Sequence, residues 1–254
     1  MEGKVKKILG NLTSVISGWD GIEAIVMGEE AGVETLDPYF NIDLDVFFRG
    51  HLLPSNDRRE QLDSPGGFET SPIYPVDRFL IDDLPVSIYY KDVSRMNLLL
   101  KRVKEQSWVF RTESTNVLYR IENGAVLHSQ GDWFAELRKG SKDVPAGFWR
   151  SIMEAARFSL DQYLNGIGAA VYRSDNLFYQ TSAAGFCTSL CSYVFAMNRR
   201  FEPGPRLLHE HIKKLKKLPP EFLGRFESFI RPDAELKPST KYEIAKLLAQ
   251  SLTD

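Results

Sequence analysis

The chain has 254 residues, 43% hydrophobic and 26% charged, with 32 Lys plus Arg against 34 Asp plus Glu. That composition is globular, long enough to bury one large core or two smaller ones, and it excludes general disorder. No overall excess of positive charge holds a long nucleic-acid backbone non-specifically, so no long nucleic acid is expected as a partner. Met1 to Gly10 mixes lysines with scattered apolar residues and lacks the continuous apolar core of a signal peptide. No window reaches the ~18 apolar residues of a membrane span. Cys187 and Cys191 sit four apart in an apolar helical stretch, where buried free thiols are common and zinc would need two more ligands. A reduced, cytoplasmic setting without membrane contact is the expectation.

Val5, Ile8, Leu9, Leu12, Val15 and Ile16 recur at helical spacing and predict a first helix that Gly18 ends. Two short apolar, β-branched runs follow, Ile22 to Met27 and Ile42 to Phe48, and predict neighbouring strands. Pro54 to Arg78 is polar and rich in Pro and Gly, and reads as an exposed, mobile connection able to cover a cleft. Val86 to Tyr90 predicts a third strand, and Val93, Met96, Leu99, Leu100 and Val103 an amphipathic helix against the sheet. Two apolar runs around Asn123-Gly124 predict a hairpin at 116–127. Arg138 to Gly147 has the composition of a linker. Beyond it, helices are predicted at Phe148 to Asn165, Asn176 to Arg199, Arg206 to Leu218, Glu221 to Ile230 and Thr240 to Leu252, the last opened by a Thr240–Glu243 capping box. The chain therefore reads as an α+β domain at 1–140, a mixed sheet flanked by helices, followed by an all-helical domain at 148–254.

The segment from Ile25 to Phe48 is the most informative for chemistry. Strand side chains alternate faces, so Asp43 and Asp45 point the same way while Ile42, Leu44 and Val46 enter the core. Paired carboxylates repel one another and attract a hard divalent cation. Magnesium takes one or two protein carboxylates and completes its shell with water and substrate phosphates, as at a nucleoside triphosphate site. The plainer reading is an amphipathic edge strand with an acidic solvent face.

An apolar strand, Gly28, a loop and then Asp43-Leu44-Asp45 on the next strand resembles the nucleotidyltransferase superfamily, whose pattern is strand, Gly-Ser, loop, Asp-x-Asp. The stretches YRIENGAVLHSQGDWFAEL and MNRRFEPGPR look like the rear portion of bacterial members that pair this domain with a helical one. The resemblance covers most of the chain. It implies that Asp43 and Asp45 hold magnesium, that Gly28 and Glu29 face the nucleotide, and that the helical domain closes the cleft. It also implies partners, namely a nucleoside triphosphate and a small-molecule or protein acceptor.

The sequence departs from that pattern at three points. Glu29 and Glu30 stand where the family has a serine that holds phosphate oxygens, and carboxylates repel phosphate. The family's Asp-Ile-Asp-Leu can be laid on Asn41-Ile42-Asp43-Leu44, or its two aspartates on Asp43 and Asp45, which keeps both ligands. Ser87 stands on the strand where many members carry a third carboxylate, and it is neither a base nor a strong magnesium ligand. A base from the helical domain, Glu154 or Asp161, is the alternative, though each also reads as a solvated helix face.

Other candidates are weaker. His209 and His211, two apart in a predicted helix, point in different directions. Arg206 and His211 match a helical-ribonuclease spacing at a level expected by chance. Lys213, Lys214, Lys216 and Lys217 form a basic cluster of the kind usually left to solvent. His128 has no evident partner, and Ser182, Thr188 and Ser189 lack a histidine pattern for a hydrolase triad. Two readings stand: a magnesium-dependent transferase moving a nucleoside monophosphate from a triphosphate to a small-molecule or protein acceptor, and a catalytically silent relative that binds a nucleotide, metabolite or protein.

Overall fold

The structure, a computed structural model, describes residues 2–28, 41–63, 66–71, 73–105, 114–233 and 235–252. Two compact units emerge: one takes residues up to 105 together with 117–144, the other takes 145 onward together with 114–116.

In the first unit α1 (Glu2–Ser17) leads into β1 (Ile22–Met27) and β2 (Ile42–Phe48). Then come α2 (Ser55–Gln61), β3 (Gly66–Thr70), β4 (Val76–Ile81), β5 (Leu84–Asp92), α3 (Val93–Lys104), α4 (Asn116–Asn123), β6 (Ala125–Ser129) and α5 (Trp133–Lys142). The strands form one mixed sheet in the order β3-β4-β5-β2-β1-β6. Only β2 and β5 pair in parallel; the other pairings are antiparallel. The three predicted strands are therefore adjacent, β5 being longer than its apolar run.

Period-two alternation divides the sheet's two faces between two cores. Ile42, Leu44 and Val46 of β2 and Val86, Ile88 and Tyr90 of β5 pack with Val5, Ile8, Leu12 and Ile16 of α1. On the opposite face Ala24, Val26 and Phe47 pack with Ile121 of α4 and Phe134 and Leu137 of α5, joined by Met96 and Leu100 of α3.

Three segments depart from the sequence reading. Pro54 to Arg78 is not an open connection: it carries α2, β3 and the first half of β4. Its polar composition conceals a buried ion pair, in which Arg58 donates through Nε and Nη2 to Asp77 at 2.6 and 2.7 Å, and through Nη1 to the Leu53 carbonyl at 2.6 Å. A two-residue turn at Asp82 and Asp83, with φ of 51° and 65°, then joins β4 to β5. Such positive angles suit the hairpin turns that match strand twist, and Asp tolerates them.

The predicted hairpin at 116–127 is instead a helix followed by a strand. Leu118 and Ile121 fall three apart and are both buried, which is a helical rather than an alternating pattern. Gly124 stops that helix where it meets β1: a Cβ there would fall 2.5 Å from Val26 Cγ1 and 2.6 Å from the Arg120 carbonyl oxygen. The first half of the predicted linker at 138–147 is the end of α5, since Leu137 and Ser141 turn inward, and its last two residues already belong to the next helix.

The second unit is helical: α6 (Ala146–Arg173), α7 (Asn176–Met197), α8 (Leu208–Lys213), α9 (Phe222–Ile230) and α10 (Pro238–Ser251). Leu160, Ile167, Phe186, Leu190, Val194, Phe226 and Leu248 belong to its core. Ile167 and Ala170 are buried, so α6 continues past the predicted end at Asn165. Helix α10 begins at Pro238 rather than at the Thr240 capping box, because proline suits a first helical turn whose amides lack partners.

Candidate functional site

Strand alternation and the parallel register place Asp43 beside Ser87, Asp45 beside Tyr89 and Phe47 beside Lys91. Asp43 and Asp45 share a face, as their spacing predicts. Their surroundings differ.

Asp45 is 1% exposed, and both of its oxygens are taken by cations. Arg120 of α4 donates from Nε to Oδ2 at 2.8 Å and from Nη2 to Oδ1 at 2.9 Å. Lys91 Nζ lies 2.8 Å from the same Oδ2. This is a bidentate, charge-assisted pairing with a second cation on one oxygen. Burial opposes the charge on Asp45, but Lys91 and Arg120 outweigh it and hold the carboxyl below its usual range. The Lys91 ammonium is pushed down, by burial first and by Arg120 as well, against the pull of Asp45.

Asp43 is more open. Its side chain is 32% exposed, and its Oδ2 lies 4.0 Å from Arg120 Nη1. Asn41 Nδ2 donates to Asp43 Oδ1 at 2.5 Å and to Ser87 Oγ at 3.0 Å. Ser87 thus accepts from the residue that precedes β2.

Gly28 continues β1, its amide donating to the Asp43 carbonyl at 3.1 Å. The Arg120 guanidinium lies directly against it: a Cβ on Gly28 would fall 2.0 Å from Cζ. One guanidinium therefore covers both the glycine expected to face phosphates and the carboxylate expected to face a metal. Arg138 of α5 holds the helix that presents it, donating from Nε to the Ile121 carbonyl at 2.8 Å and from Nη2 to the Gly124 carbonyl at 2.5 Å. These bonds satisfy the free carbonyls at the end of α4 and set the angle at which Arg120 enters the sheet.

Asp43 and Asp45 supply the only two carboxylates of this constellation among the described residues, and no group of three or more His, Cys, Asp or Glu able to hold a metal occurs among them. A divalent ion at Asp45 would displace two fixed positive charges or sit beside them. Like charges 4 Å apart repel by about 4 kcal/mol per unit pair at the effective dielectric of a protein surface. The residues present do not fit a divalent cation in this arrangement.

Glu29 and Glu30 lie outside the described residues. Glu154 is exposed, and Asp161 pairs with Arg157 at 3.6 Å on one helix face. His209 lies 3.6 Å from Glu227, and Lys213 reaches Glu210 at 3.4 Å, which makes this a mixed-charge helix face. Ser189 and Thr188 donate to carbonyls of their own helix. Burial pushes the thiols of Cys187 and Cys191 up to about 11 and about 12, which keeps them protonated and unreactive. No described helix is long and apolar enough to cross a membrane.

Arg120 and Lys91 were not among the sequence candidates. Lys91 was legible in principle, since it alternates with Ser87 and Tyr89 on the face of Asp45. Arg120 was hidden because its segment reads as a hairpin.

Residues 110–206 match a family model described as a domain of unknown function (DUF4037). No curated protein sequence matches the chain. The crystal structure of a nucleotidyltransferase-like protein from Exiguobacterium sibiricum 255-15 is similar, with a TM-score of 0.50 and 12% identity over 98% of this chain and 74% of that one. Spectinomycin adenyltransferase AAD(9) from Enterococcus faecialis, crystallised with ATP and spectinomycin, aligns with a TM-score of 0.39 and 14% identity over 99% of this chain and 98% of that one. The first likeness establishes a relationship of fold.

Proposed function

We propose that this nucleotidyltransferase-like chain is a catalytically silent relative, a module that binds a nucleotide, metabolite or protein partner without magnesium held by Asp43 and Asp45. One observation carries the reading: the bidentate bond from Arg120 to a fully buried Asp45, with Lys91 on the same oxygen. Arginine and lysine supply the neutralisation that a cation supplies elsewhere. Because Arg120 also lies against Gly28, a phosphate approaching that backbone meets an occupied surface.

A second reading has the fold in its favour, together with the partly open Asp43. In it, Asp43 and Asp45 hold magnesium, Gly28 and Glu29 face a nucleoside triphosphate, and a small-molecule or protein acceptor takes the nucleoside monophosphate. That reading requires Arg120 to leave Asp45.

Calorimetric titration with ATP, GTP, CTP and UTP, each with and without magnesium, separates the two. The silent reading expects binding that ignores magnesium, or none. Tight magnesium-dependent binding, with label transferred from a triphosphate to an acceptor, would establish the second.

A further inference from the structure

The fold of the helical unit gathers positive charge that is dispersed along its sequence. Helix α7 is followed by Asn198, whose side chain binds a distant backbone twice: Nδ2 donates to the Lys217 carbonyl at 2.7 Å, and Oδ1 accepts from the Lys217 amide at 2.8 Å. That clamp sets the segment of Lys214, Lys216 and Lys217 beside Arg199 and Arg200, which follow Asn198 directly. Leu215 and Leu218 are half-buried against the core of the unit and anchor the segment, while Lys214, Lys216 and Lys217 stay exposed. Arg199 and Arg200 are exposed as well.

None of these side chains enters an ion pair among the described residues. The acids within 198–220 do not balance them: Glu202 is 6% exposed, and Glu210 lies 3.4 Å from Lys213. Glu221, the next along the chain, pairs with Arg225. The backbone of Arg199 is a second, independent signal. Its amide donates to the Ala196 carbonyl at 2.9 Å and that of Arg200 to the Phe195 carbonyl at 3.0 Å, the helix ending in which glycine usually takes the left-handed position. Arg199 holds that position at φ 52°, where a Cβ is strained. A cation favours a helix C-terminus, but Arg200 already supplies one there without the strain. Closing the helix calls for glycine, so the arginine serves something outside it.

We propose that this face of the helical unit binds the phosphate backbone of a nucleic-acid duplex. The chain as a whole has 32 Lys plus Arg against 34 Asp plus Glu, so the surplus here is segregated, and a net charge taken over the whole chain does not register it. No large apolar side chain is exposed within 198–220, which leaves nothing to insert into a bilayer and no anchor for a protein interface. Phe201, the one Phe, Tyr or Trp of that stretch, is buried and offers no platform for unpaired bases. Exposed Lys and Arg grip phosphates and do so without reading sequence. The inference concerns the helical unit, and its failure leaves the reading of Asp45 untouched.

The test is fluorescence anisotropy of the full-length chain with labelled RNA and DNA duplexes of about 20 base pairs, across about 50–200 mM salt. The expected result is sequence-independent binding at the low-salt end, with log K falling against log salt at a slope of about −4.5 when all these cations contact phosphate. The duplex bound more tightly identifies the source of the backbone. Lys216→Gln with Lys217→Gln should make the slope shallower by about 2. Arg199→Gly should make it shallower by about 1 and leave Tm unchanged or higher, because glycine relieves the backbone, whereas loss of a merely structural arginine would lower Tm and leave the slope alone. No binding to either duplex, tighter binding to a single strand, to phosphatidylserine vesicles or to polyglutamate, or a slope that these variants leave unchanged, overturns the proposal.

Discussion

Two buried arginines grip carboxylates on opposite faces of one sheet, and the contrast between them separates framework from site. Arg58 meets Asp77 one to one; the remaining capacity goes to Tyr90, whose hydroxyl donates to Asp77 Oδ2 at 2.8 Å, and to the Leu53 carbonyl. That centre pins α2 to β4 and β5 with its charges cancelled. Around Arg120 the account does not close locally: two cations, Arg120 and Lys91, converge on the single buried carboxylate of Asp45, and a second carboxylate, Asp43, stands 4.0 Å off. A framework needs only a balanced pair. At Asp45 the neutralisation falls to Arg120 and Lys91 together, with Asp43 as the nearest further negative charge, and it is on this arrangement that the proposed silent reading rests.

The largest effect is expected at the balanced centre. Asp77→Asn leaves Arg58 buried without its counter-charge and should cost about 3–5 kcal/mol in urea denaturation. A loss below about 1 kcal/mol would erase the distinction between a framework pair and a surface one.

Gly28→Ala is next. The added methyl collides with the Arg120 guanidinium, so either the arginine leaves Asp45 or the strand shifts, at a cost of about 1–3 kcal/mol. Pairing it with Arg120→Ala, which empties that space, should remove most of the penalty. Additive losses in the double variant would mean that the guanidinium does not lie against Gly28 in solution.

The smallest expected effect comes from a buried carboxyl with no cation. Glu202 in the helical unit is 6% exposed and enters no ion pair among the described residues; burial pushes its carboxyl up, only partly countered by Ser192. The native state therefore keeps its proton where the unfolded chain has lost it, and stability falls as pH rises from about 4.5 through the raised value. Glu202→Gln should raise Tm slightly at pH 7 and leave it unchanged below about pH 4. Lower stability of the variant at both pH values would mean that the carboxyl is held by a partner as Asp45 is.

The residues that carry the central contrast were only half legible in the sequence. Asp43 and Asp45 announce themselves by alternating with Ile42, Leu44 and Val46, and the three-strand core follows from the same period. The partners of Asp45 come from far along the chain, Lys91 from β5 and Arg120 from 75 residues away. No local pattern marks such pairings. Asn123-Gly124 misled because that dipeptide suits a helix end as well as a hairpin, and only the packing of Leu118 and Ile121 decides between them. The Pro54 to Arg78 segment misled for a related reason, since the Arg58–Asp77 pair that orders it looks solvent-facing until both partners are buried together.

Asp45→Asn, melted in chelator at pH 7 beside the wild type, tests the central claim by its sign. A carboxylate pair awaiting a metal is strained by repulsion, and neutralising one member relieves it. A carboxylate held by Arg120 and Lys91 is the counter-charge of two buried cations, and neutralising it leaves them unpaired. The account predicts a variant less stable by about 3 kcal/mol. That loss should fade below pH 3.8, where the unfolded chain takes up a proton that the depressed native carboxyl refuses until the pH falls further. A variant as stable as the wild type or more so, with a wild type whose Tm rises on adding magnesium, would contradict it.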